Sequence, residues 1–184
     1  MNRRKFFGSL SLLTFCGFAT HTGHSADPLT DANDILEMQN RWRQFSPNHL
    51  LITQVHPKIA KGEIEWRLIL TKDEYEILFE QGTEPPYSSP LNDEQKNGLY
   101  ICRACELPLF SSEMKYDSGT GWPSFYTAIP GHLETKPDYK LIWPRTEYHC
   151  AKCGGHQGHV FNDGPAPTKE RWCNNGLALN FVEN

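Results

Sequence analysis

Residues 99–110, Leu-Tyr-Ile-Cys-Arg-Ala-Cys-Glu-Leu-Pro-Leu-Phe, place a Cys-x-x-Cys knuckle between two short apolar runs. Short apolar runs bounded by turn residues are typical of β-strands, which predicts strands over 99–101 and 107–110. The chain also contains 14 Gly and 13 Pro, so turns should be frequent and long helices rare. We therefore expect a mainly β, antiparallel domain, with further strands over 139–143, 159–161 and 177–182.

The knuckle of Cys102 and Cys105 has a counterpart in Cys150 and Cys153. Two such pairs present four thiolates tetrahedrally to Zn²⁺, which predicts a structural zinc site. The gap between the knuckles, residues 106–149, is longer than the roughly 15–20 residues of a zinc ribbon. The metal would thus join two distant hairpins of a larger fold. Two disulfides are the alternative in an exported protein.

Helices are predicted before residue 98. In residues 29–43 the apolar Ile35, Met38 and Trp42 recur at helical spacing, and Ser46-Pro47 ends the pattern. Residues 66–70 resemble a short strand. Thr71 and Glu74 form a capping box for a second helix with Tyr75, Leu78 and Phe79 on its buried side and Gly82 just past its end.

The first 26 residues have the layout of an export signal. Arg3-Arg4 precede an apolar stretch, residues 6–19, which is too short to span a bilayer, and small residues lead to Ala26. The paired arginines are typical of a twin-arginine signal, with an ordinary secretory signal or an uncleaved amphipathic end as alternatives. We predict a signal over 1–26, a helical extension over 27–60 and one domain over 61–184. The expected location is the periplasm or another exported compartment, without a stable membrane anchor.

The charge of the chain points away from nucleic acid as a partner. Loss of residues 1–26 removes three of the 18 basic residues and none of the 22 acidic ones, which makes the net charge −7 in place of −4. No block of Lys or Arg occurs beyond the N-terminus. We expect a monomer that acts on a small molecule or another protein.

Cys173 is left without a partner once the four knuckle cysteines are assigned and Cys16 leaves with the signal. An odd cysteine in an exported protein indicates a reactive thiol or an intermolecular bridge, and a buried inert cysteine is the third reading. Arg171, Cys173 and Asn175 alternate along an apparent strand, so they would share one face. The Arg171 charge would favour the thiolate.

Two histidines follow the second knuckle in the glycine-rich segment Gly154-Gly-His156-Gln-Gly-His159. We interpret it as a flexible loop. The imidazoles could serve the Cys173 thiol, complete a metal site with Cys150 and Cys153, or be solvated. Further upstream, the segment Ser118-Gly-Thr-Gly-Trp122-Pro-Ser-Phe125 offers Trp122 as a pocket wall or a core residue.

These motifs, in this order, resemble the B-type, R-specific methionine sulfoxide reductases. The resemblance extends from Trp66 to Phe181. It includes the two knuckles and the following segments: Leu70-Thr71, Gly82-Thr-Glu84, Ser118–Phe125, Arg145-Thr-Glu147, Gly158–Pro165 and Arg171-Trp-Cys-Asn-Asn175.

The resemblance implies two small antiparallel sheets around a structural Zn²⁺, and a reductase domain over 61–184. Cys173 would be the nucleophile, in a substrate pocket with five further residues: Trp122, His156, His159, Arg171 and Asn175. The implied substrates are oxidised proteins or peptides. Three departures bear on rate and substrate range: Glu106 replaces a common Gly, Asn174 and Gly176 replace an apolar residue and Ser, and Thr120 stands where many members carry a second redox cysteine.

Reduction of a sulfoxide requires a thiolate that attacks sulfur and a proton donor that reaches oxygen. Cys173 supplies the first, and we assign His156 and His159 to the second, with Asn175 and Arg171 polarising the oxygen and Trp122 holding the methyl group. Cys173 would become a sulfenic acid, reset by a thioredoxin-like dithiol. A noncatalytic zinc module that binds a protein partner, or a Cys-His acyl hydrolase, are the alternatives.

Overall fold

A computed structural model describes residues 31–47, 57–140 and 143–184, and the predicted signal lies outside these ranges. Helix α1, Ala32–Arg41, begins at a capping box in which the Asp31 side chain accepts the backbone N–H of Asp34. A single 3-10 turn, Trp42–Phe45, follows it. Ile35, Met38 and Trp42 are buried, as the helical spacing predicts.

Residues 66–70 are not a strand, so that prediction is wrong. Helix α2, Glu63–Arg67, begins at Gly62, whose N–H donates to the Glu65 carboxylate at 2.9 Å. Trp66 and Leu70, four residues apart, are buried on one side. A strand would have placed Trp66 and Leu68 on the same face, whereas Leu68 is 79% exposed.

Helix α3, Lys72–Glu80, confirms the predicted capping box. The Thr71 N–H donates to Glu74 Oε2 at 2.8 Å, and Thr71 Oγ1 accepts the Glu74 N–H. Tyr75 and Leu78 are buried as predicted, Ile77 joins them, and Phe79 is half-buried. The left-handed residue that ends the helix is Gln81, with φ 57°, one position before the predicted Gly82.

Within the described ranges, nine strands form two antiparallel sheets, which confirms the predicted fold class. In chain order they are β1 Gly98–Cys102, β2 Pro108–Ser111, β3 Lys115–Tyr116, β4 Ser124–Phe125, β5 Leu133–Asp138, β6 Arg145–Cys150, β7 His156–Phe161, β8 Arg171–Asn174 and β9 Leu179–Glu183. The smaller sheet has the order β2-β1-β9, and the larger one β3-β4-β8-β7-β6-β5.

The predicted strand over 139–143 is misplaced. Tyr139 and Lys140 follow β5, Trp143 precedes β6, and residues 141–142 lie outside the described ranges. The true strand β5 is an edge strand with mostly exposed side chains, so its sequence lacks the apolar pattern of a buried strand. The last predicted strand begins at Leu179, after a 3-10 turn over Gly176–Ala178.

A shared aromatic core joins the two sheets. Phe110 of β2 stacks on Phe125 of β4 with ring centroids 3.9 Å apart, and Tyr100 of β1 contacts Phe125 edge-on at 5.0 Å. All three rings are fully buried. Such pairs contribute about 0.5–1.5 kcal/mol beyond their buried area, so the larger sheet is held rigidly against the smaller one.

None of the helices in the described ranges has the length and apolar character needed to cross a bilayer.

Candidate functional site

The four knuckle cysteines converge at one point. Cys102 ends β1 and Cys150 ends β6, while Cys105 and Cys153 lie in the turns that follow. The four Sγ atoms lie within 4.8 Å of one another, with Cys102–Cys153 at 3.6 Å and Cys105–Cys150 at 3.5 Å.

These spacings suit a metal. Tetrahedral Zn–S bonds of about 2.3 Å place sulfur atoms about 3.8 Å apart, whereas a disulfide needs about 2.05 Å. The four side chains are free thiols, and neither His156 nor His159 belongs to the cluster. The cluster therefore fits one tetrahedral ion held by sulfur, and the alternative metal site with two histidines is wrong.

Cys173 lies in β8, near the middle of the larger sheet. The register places it opposite Ser124 of β4 on one side and opposite His159 of β7 on the other. A side chain at Gly158 would meet the Cys173 carbonyl oxygen at 1.9 Å, so glycine is required where β7 approaches β8. The chain therefore brings an imidazole next to the thiol by sheet register.

The Cys173 thiol opens into a cavity of about 120 Å³. Of the predicted site residues, Trp122, His159 and Asn175 line it together with Cys173, whereas His156 and Arg171 lie outside its lining. Thr83, Arg145 and Phe161 are lining residues that the sequence analysis missed. The cavity has the size of one amino-acid side chain, not of a whole peptide.

The histidines do not lie in a flexible loop, which corrects that interpretation, and His156 is buried rather than solvated. Both belong to β7, with their rings 5.4 Å apart. His156 Nδ1 lies 3.0 Å from Glu147 Oε1, and His159 Nε2 lies 2.8 Å from Asp138 Oδ2. Burial lowers the pKa of both imidazoles more than the carboxylates raise it. Each histidine is thus neutral near pH 7 and oriented by an acidic partner.

Arg171 contacts more than the thiol. Its guanidinium forms a bidentate pair with Asp163, both N–O distances being 2.8 Å, and its Cζ lies 4.3 Å from the centre of the Phe161 ring. Burial raises the pKa of Cys173, and the Arg171 charge opposes that shift without overcoming it. The Thr120 hydroxyl also lowers the pKa of the thiol.

The Thr120 hydroxyl belongs to a short network. Ser118 Oγ lies 2.8 Å from Thr120 Oγ1 and 2.7 Å from Ser124 Oγ, and Ser124 Oγ donates to the Trp122 carbonyl. Each hydroxyl can donate or accept, so the network can turn a donor toward a thiolate and an acceptor toward a thiol.

Glu84 holds the far side of the pocket and has no cationic partner among the described contacts. Its carboxylate accepts the N–H groups of Gly176 and Leu177, its own N–H donates to Asn175 Oδ1 at 3.2 Å, and its carbonyl accepts Trp122 Nε1–H at 3.1 Å. Burial raises the Glu84 pKa. One residue therefore fixes both the Asn175 amide and the Trp122 indole.

Two of the three departures, Glu106 and the pair Asn174 and Gly176, lie at positions with marked local constraints. Glu106 has φ 59°, a left-handed conformation that glycine adopts without strain. At Gly176 a Cβ would meet Ser89 Oγ at 2.0 Å, so a side chain there would require Ser89 to move. Asn174 is fully buried and accepts the Tyr148 hydroxyl at 2.7 Å.

Several supporting residues escaped the sequence analysis. Glu84, Glu147 and Asp163 stand within the quoted motifs but received no role, because their partners depend on the sheet register. Asp138 has no motif at all, and it reaches His159 only because β5, β6 and β7 are neighbours in the sheet.

A half-buried thiol opposite an oriented neutral imidazole, in a cavity with an indole wall, defines a thiol-dependent enzyme that acts on one side chain. Residues 70–183 match the SelR domain. The chain belongs to this family.

Three relatives share the name peptide methionine sulfoxide reductase MsrB. The Methanosarcina barkeri protein is 47% identical over 67% of this chain and 87% of its own length. The Agrobacterium fabrum protein is 47% identical over 68% and 93%, and the Leifsonia xyli protein 48% identical over 67% and 91%. The solved structure of the Mis18 'Yippee-like' domain aligns with 48% of this chain over 98% of its own length. The TM-score is 0.39 and the sequence identity 14%, and this similarity is too low to support an argument.

Proposed function

We propose that the chain is a peptide-methionine (R)-S-oxide reductase, which returns methionine R-sulfoxide in oxidised proteins or peptides, and the free amino acid, to methionine. The observation that carries the proposal is the position of Cys173. It faces His159 across the β7–β8 pair in a cavity of about 120 Å³ with Trp122 in its wall, within a SelR domain.

Cys173 as the thiolate attacks the sulfoxide sulfur and forms an S–S bond to it. The oxygen takes one proton and leaves as hydroxide, which adds to the Cys173 sulfur as the S–S bond breaks and its electron pair passes to the methionine sulfur. The products are methionine and a Cys173 sulfenic acid, so the thiol is oxidised by two electrons and the sulfoxide is reduced by two. The Trp122 indole packs against the substrate methyl group.

The proton comes from the Cys173 thiol and passes through His159, whose neutral ring takes it as the thiolate forms and gives it to the oxygen. This ring is held by Asp138 and lies opposite the thiol. His156, whose Nδ1 lies 3.0 Å from Glu147, packs its ring 5.4 Å from that of His159 and supports it from behind, since its own ring does not line the cavity. Asn175 offers one N–H to the sulfoxide oxygen, because its Oδ1 is taken by Glu84 and its other Nδ2 hydrogen by the Gln157 carbonyl.

Arg171 acts through charge. Its bidentate pair with Asp163 leaves it beside Cys173, where the positive charge favours the thiolate and polarises the bound oxygen. His159 and Asn175 thus act directly on the oxygen while Cys173 acts on the sulfur, and His156 and Arg171 support them from outside the cavity lining.

The metal is Zn²⁺, held by Cys102, Cys105, Cys150 and Cys153. Four thiolates at tetrahedral spacing suit this ion, and a closed Cys₄ site leaves no position for substrate. Its contribution is structural: it joins the β1–β2 hairpin to the turn between β6 and β7.

The electron donor is an external thioredoxin-like dithiol, and the enzyme is an exported, periplasmic monomer without a stable membrane anchor. The twin-arginine-like signal supports export, and that route carries folded protein, so the metal can be loaded before the thiols meet an oxidising compartment. The acidic chain offers no basic surface for nucleic acid.

The test is a dithiothreitol-driven assay on separated sulfoxide epimers, free and in a peptide. We expect turnover of the R epimer alone, and none after Cys173→Ser. Equal rates on both epimers would contradict the stereochemical assignment. Binding without turnover would favour the noncatalytic zinc module, and hydrolysis of an ester without sulfoxide reduction would favour the acyl hydrolase.

A further inference from the structure

Gln157 lies fully buried between the cysteine cluster and the catalytic strand. Gln157 is the extra residue of a β-bulge in β7, because Gly158 pairs with Tyr148 and His156 pairs with the adjacent His149. The Gln157 Nε2 group donates to Cys102 Sγ at 3.5 Å and to the Gly155 carbonyl at 3.5 Å. The amide thus reaches directly into the sulfur cluster.

The main chain of the same residue holds the catalytic amide. The Gln157 carbonyl oxygen accepts the Asn175 backbone N–H at 2.8 Å and Asn175 Nδ2–H at 3.0 Å. Asn175 is 4% exposed, so these bonds are shielded from water. A rotation of Gln157 would therefore move both the backbone and the side chain of Asn175.

The side-chain oxygen of Gln157 accepts a hydrogen bond from strand β8. Asn174 Nδ2 donates to Gln157 Oε1 at 3.4 Å and to the Asn175 carbonyl at 2.8 Å, and Tyr148 Oη–H donates to Asn174 Oδ1 at 2.7 Å. Gln157, Asn174 and Tyr148 are all fully buried. A buried network in which each polar atom has a partner fixes one arrangement, because any other leaves a polar atom unpaired.

We propose that Gln157 is a positioning residue that couples the metal cluster to the catalytic Asn175. A metal-bound Cys102 is a thiolate, a charged acceptor for the Gln157 amide, whereas a thiol is a weak one. The metal therefore holds the Gln157 side chain, and its carbonyl in turn holds Asn175 in the orientation that donates to the sulfoxide oxygen. The role of Asn175 rests on the proposed function, but the coupling itself does not.

The test compares the unmodified, metal-bound chain with three variants, Gln157→Met, Lys152→Met and Tyr148→Phe. In Gln157→Met the side-chain length is kept and both hydrogen-bonding atoms are lost. In ¹⁵N-labelled protein the side-chain amide resonance of Asn175, assigned by its loss in Asn175→Asp, should shift and exchange faster with water. In the sulfoxide assay kcat should fall about tenfold, equivalent to 1.4 kcal/mol of barrier, with KM little changed. A colorimetric chelator should also withdraw the metal faster.

Lys152→Met is the matched control. Lys152 Nζ donates to the Cys105 carbonyl at 3.3 Å, so this variant also loses a contact with a knuckle, but no bond connects it to Asn175. The Asn175 resonance and kcat should stay as in the unmodified chain. Tyr148→Phe removes only the far hydroxyl and should shift the same resonance less than Gln157→Met does.

An Asn175 resonance that is identical in the unmodified chain and in Gln157→Met would overturn the coupling. Should Gln157→Met fail to fold, Tyr148→Phe carries the test, and an unmoved resonance there overturns it equally. An unmodified chain that reduces no sulfoxide, together with a shifted resonance in Gln157→Met, would refute the proposed function and leave the coupling intact. Normal sulfoxide reduction by the unmodified chain, with the same kcat in Gln157→Met, would refute the coupling and leave the proposed function intact.

Discussion

Two opposing effects act on the pKa of the Cys173 thiol. Burial raises the pKa of its thiol, while the Arg171 charge and the Thr120 hydroxyl lower it by a smaller amount. The net pKa lies above the ordinary thiol value, so the thiolate is a minor species near pH 7. The enzyme thus keeps most of its nucleophile protonated and relies on positioning within the pocket for rate.

The first prediction concerns this balance. The rate of Cys173 alkylation by iodoacetamide should rise with pH and reach half its maximum above the ordinary thiol pKa, because only the thiolate reacts. Arg171→Met removes the charge that favours the thiolate, so its midpoint should lie higher still. Arg41→Met, which removes a surface arginine paired with Glu113, is the control and should leave the curve unmoved. A lower midpoint in Arg171→Met would contradict the role of this charge.

The second prediction separates binding from chemistry. Trp122→Ala removes the wall that packs on the substrate methyl group, and we expect a higher KM with a smaller effect on kcat. His159→Ala removes the proton donor, and kcat should fall by roughly 10²–10⁴-fold, the usual contribution of a general acid. Steady-state kinetics on one R-sulfoxide peptide measures both. Identical defects in the two variants would argue against separate roles.

At the scale of single elements, the third prediction concerns the start of helix α3. Thr71→Ala removes the side-chain acceptor of the Glu74 N–H and should lower the free energy of unfolding by about 1 kcal/mol. Urea denaturation of the metal-bound protein measures the change. Thr71→Ser keeps the hydroxyl and should unfold almost as the unmodified chain does. An equal loss in both variants would point to the lost methyl group instead of the cap.

An element could be predicted from the sequence when the interactions that define it join residues close together in the chain. Helix α3 was predictable because its cap lies within four residues of sequence. Helix α2 was not, since a short apolar run suits a strand or a helix, and only the burial of Trp66 and Leu70 together decides between them. Strand β5 was missed because an exposed edge strand lacks an apolar pattern.

The same distinction holds within the candidate site. The cysteine pairs could be recognised from spacing, and Cys173 from being the one left over. The partners of the histidines could not, because Asp138 and Glu147 reach them through the pairing of β5, β6 and β7. The glycines around His156 resembled a flexible loop, although Gly158 serves instead to let two strands approach.

At the scale of the whole molecule, the four-cysteine cluster lies where the smaller sheet meets the larger one. Cys102 comes from β1 and Cys150 from β6, so an ion held there would bridge two parts of the chain that are distant in sequence. Such an ion would stabilise the same junction between the sheets as the shared aromatic core.

The fourth prediction follows from that position. The purified protein should hold one zinc per chain, and Cys150→Ser should lose it and unfold or aggregate, because the binding free energy of a structural metal is also folding free energy. Elemental analysis and circular dichroism measure these outcomes. Cys173→Ser is the matched control, since it removes a thiol outside the cluster, and it should retain zinc and fold. A protein without zinc whose mass is four hydrogens below that of the reduced chain would instead carry two disulfides.

The last prediction concerns how the enzyme returns to its starting state. Of the five cysteines in the described ranges, four form the cluster and only Cys173 stands apart, with Thr120 rather than a cysteine near its thiol. Among these residues the Cys173 sulfenic acid therefore has no free thiol to condense with, and we expect it to wait for an external dithiol. After one turnover without reductant, mass spectrometry should find one added oxygen on Cys173, and a sulfenate-selective reagent should trap it.

Thr120→Cys gives the contrast, because the Thr120 hydroxyl is near enough to the Cys173 thiol to lower its pKa. A thiol at that point should capture the sulfenic acid as a disulfide with release of water, so the reagent should trap little and the added oxygen should disappear. The unmodified chain and the variant would then differ in the bond that the incoming dithiol must break. This is a sulfur–oxygen bond in the unmodified chain and a sulfur–sulfur bond in Thr120→Cys. A disulfide between Cys173 and any of the four cluster cysteines in the unmodified chain would refute the one-cysteine cycle, since it would show that the cluster gives up a ligand during turnover.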